Sequence, residues 1–196
     1  MSRDHIPGWA TFVWIYDEWL ASKPRPGAIC IEVGVALGKT ITYVADKLIA
    51  TGRTDIQLWA VDPWAGWERN GEQQEMADGV GGDFTLFGQM MLAHDKPAWE
   101  LIRVVRAPSV QAARLFDDQS VDLVTLDGDH TYPSVVADLD AWIPKLRPDG
   151  WIGGDDHHKH HATCGVTEAC QERFGAGNYE VNLNNQWNWG TWLRRP

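Results

Sequence analysis

Cysteine is scarce in this chain. Its three residues, Cys30, Cys164 and Cys170, are an odd set and too few to staple a fold. A disulfide framework is therefore excluded, and a reducing, cytoplasmic compartment is the expectation. Basic clusters are missing too. Seventeen Lys and Arg face 27 Asp and Glu, a formal net charge of −10, with no basic run beyond Arg194-Arg195. Nucleic acid and anionic membranes are bound through Lys/Arg clusters, so neither is expected as a partner. No apolar stretch approaches membrane-span length, and the N-terminus lacks the charged-then-apolar pattern of a signal segment. Internal repeats and low-complexity tracts are also absent. A small-molecule partner is the remaining expectation, and homo-oligomer formation is left open.

At 196 residues the chain suits one domain over 1–196, large enough to bury a core, with 1–27 as an N-terminal helix and linker. The organising stretch runs from Val121 to His157. Val121 to Leu126 is a short apolar run fit for a buried parallel strand, and it ends in Asp127-Gly128-Asp129-His130. Val135, Val136, Leu139 and Ile143 then recur at helix spacing. A Pro148-Asp149-Gly150 turn leads to a strand over 151–154, which ends in Asp155-Asp156. Such a β-α-β crossover makes the strands parallel, so both sets of carboxylates emerge at the edge where open α/β sheets bind ligands.

Upstream, 8–22 reads as a helix with an apolar stripe from Trp9 to Leu20. Strands are expected at 28–33, 57–61 and 101–106. A helix stopped by Gly52 should follow the first, and another should run from Ser109 to about Phe116. The segment 63–82 lacks periodicity and reads as a candidate lid loop; 83–95 has a helical pattern. A helix over 165–174 and two strands, 179–183 and 189–193, close the chain. The alternation predicts an α/β, doubly wound, mostly parallel sheet with a C-terminal antiparallel hairpin.

The first turn, Glu32-x-Gly34-x-x-x-Gly38, is not the dinucleotide fingerprint, because the third glycine is lacking. An acid at that strand end would repel a pyrophosphate and suits an amine. Asp62, ending the second strand, is placed to accept from ribose hydroxyls. A nucleoside joined to an amino acid fits both features. At the other strand ends, Asp127, Asp155 and Asp156 can converge, and like charges that converge call for a cation. Hard oxygen donors favour a divalent metal, with magnesium the default. Asp129 either takes a proton or caps the helix beginning near Tyr132, and His130 is the second acid/base candidate. His157, His158, His160 and His161 either join this site or form a solvated loop.

These motifs resemble class I S-adenosylmethionine-dependent methyltransferases: E-V-G-V-A-L-G at 32–38, V-D-P-W at 61–64, D-G-D-H-T-Y at 127–132, L-R-P-D-G-W at 146–151 and G-D-D at 154–156. The D-G-D-H-x-Y and G-D-D pair is similar to the metal-dependent macrocin-type and mycinamicin-type sugar O-methyltransferases. The resemblance implies a Rossmann-like, seven-stranded sheet and S-adenosylmethionine as the methyl donor. It places Gly34 and Gly38 along the methionine part, with Glu32 at the acidic position. Asp62 would lie on the ribose, with Pro63 and Trp64 beside the adenine. Asp127, Asp155 and Asp156 would lie on the metal, and Asp129 would be the base. Pro108 stands where relatives often carry an acid toward the adenine amine, leaving backbone groups or Ser109 to that task. The implied reaction is metal-assisted methylation of a hydroxyl on a sugar-like or phenolic small molecule. Two rivals stay open: a metal-independent methyltransferase of this fold, and a non-catalytic nucleoside- or metabolite-binding protein.

Overall fold

The computed structural model describes residues 6, 8, 10–64, 96–157, 164–181 and 189–192. In chain order these form α1 (Val13–Ala21), β1 (Ile29–Val33), α2 (Lys39–Thr51), β2 (Gln57–Val61), α3 (Lys96–Leu101) and β3 (Ile102–Val105). There follow α4 (Ser109–Ala112), β4 (Val121–Leu126), α5 (Tyr132–Trp142), β5 (Leu146–Gly154), α6 (Val166–Phe174), β6 (Glu180–Val181) and β7 (Trp189–Trp192). The strands make one seven-stranded sheet in the order β3-β2-β1-β4-β5-β7-β6, parallel except for β7, which is antiparallel to both β5 and β6. The expected sheet and terminal hairpin are both present.

Alternation along the parallel strands divides the core in two. Cys30, Leu58, Leu123 and Trp151 pack with α1 and α2 on one face. Ile31, Val61, Val124 and Ile152 pack with Leu139 and Trp142 of α5 and Cys170 of α6 on the other. Strands covered on both faces read as nearly continuous apolar runs; here Glu32 and Thr125 are the buried polar exceptions in β1 and β4. The chain order reverses between β2-β1 and β4-β5, so the crevice at the carboxyl ends of β1 and β4 is the topological switch point. Among the described residues no helix is long and apolar enough to cross a membrane.

Three elements differ from the sequence expectation. α1 starts at Val13 rather than near residue 8: Gly8 takes φ 103°, and Phe12, at φ −102° and ψ 27°, is the non-helical residue that caps the helix. β5 starts at Leu146, buried and paired with Val121, so residues 147–150 lie opposite Asp122 alone as an interruption within the strand. α3 leads directly into β3. The expected helix over 83–95 and all of the 63–82 loop beyond Trp64 lie outside the described residues.

Candidate active site

The turn after β1 is built on backbone conformations that few side chains accept. Gly34 sits at φ 83°, and a Cβ there would stand 1.9 Å from the carbonyl oxygen of Asp127. Only glycine lets the ends of β1 and β4 abut so closely. Ala36 (φ 48°) and Gly38 (φ 79°) are also left-handed, and Gly38 opens α2. Asp62 holds this turn in place. Its Oδ2 accepts from Ala36 N–H (3.0 Å), its Oδ1 from Trp64 N–H (2.7 Å), and Val35 N–H adds a third bond. Burial pushes the Asp62 carboxyl up, and those three bonds oppose the shift. The Trp64 indole donates to Ala36 O (2.8 Å) and is buried, so its ring lies against the turn. Pro63 is exposed at the sheet edge, and its carbonyl accepts from Arg106 Nε (3.3 Å).

Two other residues assigned to the cofactor face inward. Glu32 is 2% exposed, and Tyr16 of α1 donates to its Oε2 (2.7 Å). Burial drives the Glu32 carboxyl up to about 8; bonds from Tyr16 and the Ile41 N–H oppose this, and the Asp62 charge adds to it. Ser109 accepts from the Trp142 indole (2.9 Å) and donates to Asp138, tying α4 to α5.

At the ends of β4 and β5 the acidic residues gather around an imidazole. His130 Nε2 lies 3.2 Å from Asp156 Oδ2 and 3.6 Å from Asp127 Oδ1. Asp156 holds a left-handed backbone, φ 60°, of the kind that persists where surrounding structure imposes it and that clusters at functional sites. Asp155 is also buried, but its carboxylate accepts from the Thr11 hydroxyl of the N-terminal segment. Among the described residues no group of three His, Cys, Asp or Glu is gathered so as to hold a metal ion.

Both oxygens of Asp129 are engaged at the start of α5: Oδ1 accepts from Thr131 N–H (2.9 Å), and Oδ2 from Ser134 Oγ (2.8 Å). Partial burial acts to raise its carboxyl, but these bonds outweigh it and hold the group below its ordinary value. His157 is buried, with Nε2 2.9 Å from Tyr179 OH; His158, His160 and His161 lie outside the described residues.

Asp138 was missed as a candidate. It is 7% exposed, and its carboxyl is pushed up to about 6, mainly by burial, with the Ser109 bond opposing and the Asp129 charge adding. The signal was in the sequence: Val135, Asp138, Leu139 and Trp142 share one helical face, where an acid breaks the apolar stripe. Thr11 and Tyr16 left no comparable signal, since nothing local aims them at Asp155 and Glu32.

The Methyltransf_24 family, a methyltransferase domain, matches residues 31–157. The uncharacterized protein y4gI of Sinorhizobium fredii is 32% identical over 168 residues, which cover 86% of this chain but only 16% of that protein's length. CalS11, a TDP-rhamnose 3'-O-methyltransferase of calicheamicin biosynthesis, superposes with a TM-score of 0.60 at 14% identity, over 93% of this chain and 78% of its own. The O-methyltransferase NovP superposes with a TM-score of 0.61 at 17% identity, with the same two coverages. At such identities the two structures speak for the fold. The matched segment runs from β1 through the acidic edge of β5, so the turn, Asp62 and the His130 cluster all fall within it. The chain belongs to the Methyltransf_24 family of methyltransferase domains, and its seven-stranded sheet has the Rossmann-like architecture that the sequence led us to expect.

Proposed function

We propose that this domain methylates a hydroxyl group of a small sugar-like or phenolic acceptor, with His130 as the proton acceptor. The observation that carries this reading is the abutment of two loops. Gly34, in the turn assigned to the methyl donor, backs onto Asp127 and Gly128 of the loop that presents His130. Donor and base therefore share one edge of the sheet. The names of CalS11 and NovP, both O-methyltransferases, support a hydroxyl acceptor.

S-adenosylmethionine, when bound, supplies a methyl group already activated on a sulfonium. The Gly34–Gly38 turn and Asp62 hold and orient it, and such positioning supplies much of the acceleration. His130 receives the acceptor's hydroxyl proton at Nδ1 as the oxygen–methyl bond forms and the methyl–sulfur bond breaks. Asp127 and Asp156 face Nε2, keep the N–H there and stabilise the resulting imidazolium. Asp129, with both oxygens committed to α5, orients the loop.

A divalent cation, with magnesium the default, is the second reading. It rests on Asp127, Asp155 and Asp156, hard oxygen donors that follow β4 and β5 and that would first have to draw together. Asp127, Asp155 and Asp156 would hold it, and it would acidify and orient the acceptor hydroxyl. Thr11 would then have to release Asp155.

Transfer of labelled methyl groups to a mixed panel of hydroxylated acceptors tests the reading. His130→Ala should lower kcat by about 10²–10⁴-fold while S-adenosylhomocysteine still binds. A variant at full rate would remove His130 as the base. Rates that collapse in EDTA and return with magnesium would favour the second reading.

A further inference from the structure

Beside His130 the sheet edge opens into a recess that the reaction above leaves unused. Asp129 and His130 stand at its rim, Leu126 and Val166 are among its apolar walls, and Asp138 and Trp189 lie deeper. The base has room for about one water-sized group. Two features show what such a group must offer. Trp189 is 1% exposed, and its Nε1–H has no acceptor among the described residues. A buried indole donor normally finds a partner, so this one calls for an acceptor from outside. Asp138 is likewise buried; it takes one bond from Ser109, and a carboxylate has sites for about four. Its Oδ2 would lie 4.0 Å from a Cβ on Gly128, so it sits just beneath a residue with no side chain to cover it.

A donor and an acceptor lining one small hole are complementary to a group that both accepts and donates. An ether or ketone has no proton for Asp138, and an ammonium has no lone pair for the indole. A hydroxyl has both. We propose that the recess binds a second hydroxyl of the acceptor, one that is not methylated, with Trp189 Nε1–H donating to it and the hydroxyl donating to Asp138. The site therefore selects polyhydroxylated acceptors over mono-alcohols. This rests on His130 marking the place of methylation, but the recess can be tested by binding alone.

The probes are phenol, catechol and resorcinol, titrated by calorimetry into the full chain saturated with S-adenosylhomocysteine. EDTA is present throughout, so metal chelation contributes nothing. At least one diol should bind about tenfold tighter than phenol, the scale of hydrogen bonds to a charged partner. In Trp189→Phe, which keeps a ring, that ratio should fall to about one. Asp138→Asn should lower it too, although that change also disturbs Ser109, so the tryptophan variant decides. An unchanged ratio in Trp189→Phe overturns the proposal. So does the absence of a diol preference, including no binding of any probe in the millimolar range, or a crystal structure of the diol complex with water still in the recess. Methyl transfer to the same probes is measured separately. A retained diol preference without transfer would refute methylation of phenolic acceptors and leave the recess standing.

Discussion

Gly34 and Gly52 form a matched pair for testing how the turn after β1 is built. Both are left-handed, at φ 83° and 70°. Around Gly52 nothing lies within 4 Å of a built Cβ, whereas at Gly34 the Cβ would meet the Asp127 carbonyl at 1.9 Å. Gly52→Ala should therefore lose only backbone energy, about 1 kcal/mol for an L-residue in this region. Gly34→Ala loses that amount and must also part the ends of β1 and β4. Both neighbours are backbone, so no side chain can swing away, and overpacking of this kind adds about 1–3 kcal/mol. In a domain of this size each kcal/mol shifts Tm by about 2–4 °C. Gly52→Ala should then melt about 3 °C below the parent and Gly34→Ala about 6–12 °C below it. Differential scanning calorimetry reads the melting difference. Titration with S-adenosylhomocysteine should show an affinity loss in Gly34→Ala alone. Equal Tm shifts, or equal affinities, would refute the close approach of the two loops as the reason for this glycine.

Glu32 predicts a pH dependence. Its folded carboxyl lies near 8, raised above 4.5, so the folded state holds a proton that the unfolded state gives up. That stabilisation is complete below about pH 4.5 and is lost as pH rises toward 8. Urea unfolding across this window should show stability falling with pH, and Glu32→Gln should flatten the slope; an unchanged slope assigns it to other groups. Asp62→Ala frees three backbone N–H groups around the turn after β1 and should weaken S-adenosylhomocysteine binding by about 1.5–3 kcal/mol. Undiminished affinity by calorimetry would mean the turn holds its shape without Asp62. Asp129→Ala removes the acceptor for Thr131 and Ser134 and should lower stability by about 1 kcal/mol. Asp129→Asn should keep methyl transfer within a few-fold of the parent, and a hundredfold fall would return the role of base to Asp129.

Local pattern determined much of this protein. β2 and β4 have the bounds that their apolar runs imply, and Gly52 ends α2 where the helical face stops. The crossover rule then placed the carboxylates after β4 and β5 on one edge, since a β-α-β unit leaves little choice of direction. Gly34 was also legible, because its demand is on its own backbone and on the next strand end. Side-chain direction was not. Glu32, Trp64 and Ser109 stand at strand or turn ends where a ligand would be expected, yet each is engaged by a partner from another element or from the turn: Tyr16, Ala36 and Trp142. Asp155 is drawn to Thr11, 144 residues away, while Asp127 and Asp156 stay with His130. Such pairings follow from which helix lies over which strand end, and residue order along the chain carries no record of that. Periodicity decides which face of an element is buried; only the packed fold decides what a polar group on that face will meet.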